Sequence, residues 1–160
     1  MRCVKIMVVV AALTVVSTRV DARIKITFAD SNDLFSFHAQ IYDENYRAQT
    51  QAADLRIEAW NANGKIYSVS IPAGTCTAPS AAGSCVYENS LARRTRSGLA
   101  YFRVLYQAAT HGNKIWLESY GDLSAATDPV MSIRIYLDDV LYAYIPNERF
   151  TQTHDGWVGF

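Results

Sequence analysis

The chain has little of what most catalytic machinery is built from. It holds three cysteines and three histidines in 160 residues. No C-x-x-C pairs the cysteines, none sits beside a histidine, and no cluster of Cys and His offers four ligands, so the sequence supports neither a zinc site nor a thiolate nucleophile. The G-x-S-x-G nucleophile elbow is missing. Gly74, Gly83 and Gly98 form neither a G-x-G-x-x-G nor a P-loop, which leaves no cradle for phosphate. His38, His111 and His154 are far apart, so a metal site from all three would need the fold to gather them. Charge of one sign is lacking as well. Fifteen basic residues balance fifteen acidic ones, and such a surface does not attract nucleic acid.

Long apolar runs are absent except at the beginning. Met1–Lys5 carries Arg2 and Lys5, Ile6–Val16 is almost unbroken apolar sequence, and Val20-Asp21-Ala22 supplies small residues for a peptidase. This is the three-part pattern of a secretory signal peptide. The run is too short for a membrane span, which takes about 20 residues. The expected layout is a signal peptide over residues 1–22 and a secreted or periplasmic domain over residues 23–160, with no membrane span. Beyond Ala22 the basic count falls to 12 and the acidic count to 14.

Removing the leader also removes Cys3 and leaves Cys76 and Cys85. An even pair in an oxidising compartment predicts a disulfide. A loop of that length stabilises by roughly 2–3 kcal/mol if the bond is unstrained. No N-x-[ST] sequon is present.

Beyond the leader, the chain reads as strand after strand. Ile24–Phe28, Leu34–Tyr42, Leu55–Trp60, Ile66–Ile71, Leu99–Gln107, Ile115–Tyr120, Met131–Leu137 and Val140–Ile145 are apolar or alternating. Asn61-Ala62-Asn63-Gly64 and Asp138-Asp139 mark tight hairpins. Pro72 and Pro146 are expected to end strands. Met131, Ile133, Ile135 and Leu137 share a face opposite Ser132, Arg134 and Tyr136, the one-side-buried pattern of antiparallel sheets. Helical candidates are short: Glu44–Ala53, and a single turn over Leu123–Ala126 after an Asp122 cap. The prediction is an all-β fold: one antiparallel β-sandwich, Ig-like or jelly-roll in kind, of about seven or eight strands with one disulfide. An outer-membrane barrel fits poorly, because most runs are only six or seven residues long.

Aromatics are the unusual component. Ten Tyr, six Phe and three Trp all lie beyond residue 22. Trp116, Glu118 and Tyr120 alternate along one strand face, Tyr136 shares a face with Arg134, and Tyr142 and Tyr144 share a face. Exposed Tyr and Trp beside polar groups stack on sugar rings or anchor a protein partner. The expected contact set is Trp116, Tyr120, Arg134, Tyr136, Tyr142 and Tyr144. Asp30, Asn32 and Asp33 form a candidate calcium loop, against the ordinary reading of an Asx-type turn. Arg93-Arg94-Thr95-Arg96 is a basic run, read as a solvated loop. Asp43-Glu44, Asp122 with Asp128, and Asp138-Asp139 are the carboxylate pairs that sugar hydrolysis would use, though turns favour Asp for local reasons.

The sequence thus points to a secreted, non-enzymatic binding module without a cofactor, its ligand a glycan or a protein surface. A secreted polysaccharide hydrolase and a structural or assembly subunit are the alternatives.

Overall fold

Short turns decide which strands pair. The structure, a computed structural model, describes residues 20–29, 32–42, 53–75, 84–107 and 112–159. Among them are eleven strands and one helix. The strands are β1 (Val20–Thr27), β2 (Asp33–Ile41), β3 (Leu55–Asn61), β4 (Gly64–Ile71), β5 (Ser84–Glu88), β6 (Gly98–Gln107), β7 (Gly112–Gly121), β8 (Val130–Leu137), β9 (Val140–Arg149), β10 (Thr151–Thr153) and β11 (Gly156–Gly159); α1 (Ser90–Thr95) separates β5 from β6. Seven strands form one sheet in the order β10-β11-β1-β2-β7-β6-β5, and four form a second in the order β4-β3-β8-β9. Every pairing is antiparallel.

A single core lies between the sheets. The seven-stranded sheet contributes Ile24, Ile26, Phe35, Phe37, Phe102, Ile115 and Leu117. The four-stranded sheet contributes Leu55, Ile57, Val69, Met131, Ile133 and Ile135. Core residues from the same strand are spaced by two, so alternation alone assigns them inward. Tyr67 of β4 ties the two layers. Its ring lies 5.5 Å from that of Phe35 at 46°, and its hydroxyl lies 2.9 Å from Ser119 Oγ and donates to the Tyr120 carbonyl at 3.2 Å. Burial away from water pushes the Tyr67 phenol above its usual range.

The two-sheet, antiparallel, almost all-β expectation holds, with four differences. First, the described residues form eleven strands rather than seven or eight. Ser84–Glu88, Thr151–Thr153 and Gly156–Gly159 are short, polar or glycine-bearing, and their periodicity is too brief to stand out. Second, Pro146 does not end its strand: β9 runs on to Arg149. This is tolerated because β9 is an edge strand, where a missing N–H costs least, and the register shifts beside it. Third, the basic run is no loop. Arg93 and Arg94 occupy the last turn of α1, where cations suit the helix dipole, and Asn89 caps the helix by accepting from Ala92 N at 3.0 Å. Fourth, Leu123–Ala126 forms a turn rather than a helix, closed by Ala126 N donating to the Leu123 carbonyl at 2.8 Å. The other helical candidate lies outside the described residues except for Ala53, as do His111, Asp43 and Glu44.

Val20, Asp21 and Ala22, which the leader reading removes, are the first three residues of β1 and pair with Ile41, Gln40 and Ala39. Cys85 is buried in β5, 8% exposed; Cys76 lies outside the described residues. Among the described residues no helix is long and apolar enough to cross a membrane.

Candidate functional site

The register of the seven-stranded sheet assembles two transverse rows on its outer face. β7 lies between β2 and β6, and Trp116 stands opposite His38 on one flank and Arg103 on the other. His38 in turn faces Arg23 of β1. The indole and imidazole rings stack with centroids 5.0 Å apart at 21°, and the Arg103 guanidinium lies 5.1 Å from the indole centroid. The adjacent row runs Lys25, Ser36, Glu118, Tyr101 across β1, β2, β7 and β6. Between the rows, over the small Ser36 side chain, is a largely apolar hollow of about 210 Å³, walled by His38, Trp116 and Tyr101 and rimmed by Arg23, Lys25 and Glu118.

Charges around the hollow are partly spoken for. Arg93 of α1 reaches back to pair with Glu118 at 3.0 Å and lies 5.6 Å from the Tyr101 centroid. Lys25 stands 3.8 Å from Asp155, both about half exposed, a pair of small energetic weight. His38 is held below the ordinary histidine range by partial burial first, then by the positive charges of Lys114 and Arg23. The folded chain therefore resists the proton that the unfolded chain accepts near pH 6.5. The stability this contributes is present above pH 6.5 and falls as the solution is acidified below it. Replacing His38→Gln is expected to shrink the drop in melting temperature between pH 7 and pH 5. Identical drops in both proteins would contradict this placement of His38.

The predicted contact residues divide between opposite faces of the molecule. Trp116 and Tyr120 lie on the outer face of the seven-stranded sheet, where the Arg96 guanidinium covers Tyr120 at 5.0 Å. Arg134, Tyr136 and Tyr144 lie on the outer face of the four-stranded sheet. Tyr142 packs against the core. A register shift between Ile135 and Tyr136 leaves Tyr142 as the extra residue of a bulge and resets the alternation, so it does not share a face with Tyr144. The six residues do not form one site.

The four-stranded face is internally paired. Glu58, only 4% exposed, accepts from Trp60 Nε1 at 2.9 Å and meets Arg56 at 3.1 Å and Lys65 at 3.5 Å. Arg134 covers Trp60 at 4.2 Å and Arg56 covers Tyr136 at 4.5 Å; Arg56 also pairs with Asp139. A buried carboxylate ringed by cations rigidifies a surface.

The turn carboxylates bond backbone. Both Asp33 oxygens accept N–H groups, from Ala29 at 3.0 Å and Leu123 at 2.9 Å. Asn32 exchanges bonds with Arg96, donating to its carbonyl at 2.6 Å and accepting at 2.7 Å. Arg96 thus brings a positive charge to the calcium candidate, and Asp30 lies outside the described residues. Asp122 accepts from Ser124 N, Asp128 from Val130 N and Asp138 from Asp54 N. The bonds to Ser124 hold the Asp122 carboxyl below the usual range. Among the described residues no three His, Cys, Asp or Glu gather as a metal site.

Sequence reasoning missed Arg23, Lys25, Ser36, His38 and Tyr101. Their outward alternation was visible within each strand, but nothing local told that β1, β2, β7 and β6 would lie side by side. The arrangement defines an all-β, two-sheet protein with an aromatic and basic outer face. No protein-family model, no curated protein and no solved structure matches the chain.

Proposed function

We propose that this is a secreted, non-enzymatic binding module whose ligand is a glycan, received in the hollow over Ser36. The observation that carries the reading is the hollow itself, where a largely apolar lining with aromatic walls meets polar groups at the rim, the composition of small-ligand sites. At about 210 Å³ it is smaller than the roughly 300–1,000 Å³ of drug-sized pockets, which suits a single ring of a longer chain. Both faces of Trp116 are flanked by His38 and Arg103, so Tyr101 and the ring edges are what a sugar meets. Ser36→Trp fills the hollow from an outward position. It is expected to abolish glycan binding on an array while leaving the melting temperature within a few degrees of the parent. Undiminished binding by that variant would show that the hollow is not the site.

Secretion after cleavage at Ala22 and a Cys76–Cys85 disulfide belong to the same reading. The exported protein is expected to show no free thiol and to lose about 2–3 kcal/mol of stability on reduction; two titratable thiols in the unfolded, unreduced protein would contradict it.

An assembly subunit is the second reading, favoured by the edge strand β9, where Val140, Leu141 and Tyr144 are 69%, 41% and 44% exposed. Two register shifts and Pro146 break that edge, however, as natural edge strands do to avoid pairing. Concentration-dependent mass in light scattering would support assembly.

A further inference from the structure

We infer that the ligand of the hollow is an acidic saccharide, its carboxylate or sulfate directed to β1 and its ring set against Tyr101 and the edge of Trp116; this rests on the glycan reading above and narrows it. The hollow is polar in an asymmetric way. Its β1 side is cationic, with Arg23 and Lys25 at alternate positions of one strand and therefore on one face. Its far side carries one carboxylate, Glu118, whose charge Arg93 already meets at 3.0 Å. A carboxylate entering from solvent thus meets a cationic strand on one side and, on the other, a carboxylate that Arg93 already neutralises. Charge-assisted hydrogen bonds from such cations are about twice as strong as neutral ones. Lys25 gives up only a long surface contact with Asp155, 3.8 Å apart. Glu118 keeps acceptor capacity for ring hydroxyls, since a carboxylate offers about four lone-pair sites.

A wider basic surface reinforces the choice. Arg103 on β6 and Lys114 on β7 add positive charge, while Glu88 and Asp155 interrupt it at the margins. That interruption disfavours a continuous polyanion track such as nucleic acid needs. It suits a short anionic chain seated at one ring.

Calorimetric titration at low ionic strength tests the inference with three oligosaccharides of equal length: an oligogalacturonate, a chondroitin sulfate fragment and a neutral galactan. At least one acidic ligand is expected to bind about tenfold or more tightly than the neutral one, with affinity falling as salt is added. The two acidic arms distinguish carboxylate from sulfate. The double variant Arg23→Gln/Lys25→Gln, altered only at outward-facing side chains, is expected to abolish the roughly tenfold preference for the acidic ligand over the neutral one. Equal affinity for neutral and acidic ligands would overturn the inference while the glycan reading stands. Failure of all three to bind would overturn both.

Discussion

Replacing Gly156 by alanine is expected to cost about 3–5 kcal/mol, close to the upper limit of single substitutions. Gly156 opens β11 and pairs with Thr27 of β1. A Cβ there would collide with the Ile26 carbonyl oxygen and come within 2.8 Å of the Ile26 carbonyl carbon and 3.1 Å of Thr27 Cα. All three are backbone atoms of a paired strand, so no side chain can turn aside to make room. Relief requires β11 to leave β1, which exposes the ladder on that side of the seven-stranded sheet and frees β10 with it. Gly64 supplies the control. It has φ +132° with nothing within 4 Å of a new Cβ, so Gly64→Ala carries only the conformational penalty, about 1–3 kcal/mol. Urea unfolding measures both, from midpoints at constant slope. Equal, small losses would place β11 elsewhere.

The second large effect is a coupling across the core. A Cβ on Gly121 would overlap Tyr67 Cε2 and lie 3.1 Å from both Cζ and the hydroxyl oxygen. Tyr67 cannot swing freely, because its hydroxyl is engaged by Ser119 and the Tyr120 carbonyl. Gly121→Ala is therefore expected to cost about 2–3 kcal/mol as an overpacked site. Tyr67→Ala is expected to cost about 3–5 kcal/mol through the cavity left beside Phe35 and the loss of the hydrogen bonds. In the double variant the new methyl group enters space the ring has vacated. The combined loss is then smaller than the sum by about 1–3 kcal/mol, a coupling typical of residues in contact. Strict additivity in a double-mutant cycle would show that the two sheets do not meet at this point.

Much of the fold was legible because alternation is a local property. Met131, Ile133, Ile135 and Leu137 are all buried, as a period of two requires. The turn at Asp138-Asp139 adopts the two positive φ values, 47° and 65°, that such a hairpin demands. At Asn63-Gly64 only the glycine has a positive φ, with the strand irregularity falling at Ala59/Trp60. Asn89 caps Ser90–Thr95, yet six residues show too little periodicity for the sequence to announce a helix. The missed strands are short for the same reason.

The site was less legible, for a different physical cause. Alternation says which side chains share a face of one strand, and it says nothing about which sheet that strand joins. Trp116 and Tyr136 follow the same pattern, yet β7 and β8 belong to different sheets, so residues that look equivalent point in opposite directions. Tyr142 failed through the bulge, a one-residue shift that no composition announces. Aromatic content drew attention to large rings, whereas the hollow exists because Ser36 is small among large neighbours. Arg103 and Arg23 matter through their neighbours on other strands, and such pairings are set by the whole topology.

Binding on the outer face of the seven-stranded sheet, around Ser36, is tested most directly by amide chemical-shift mapping of isotopically labelled protein during titration with an oligogalacturonate. The largest shifts are expected at Ile24–Lys25, Ser36–His38, Tyr101–Arg103 and Trp116–Glu118, four stretches distant in sequence that the register brings together. Shifts gathered instead at Arg134, Tyr136 and Tyr144, or along the β9 edge, would contradict it.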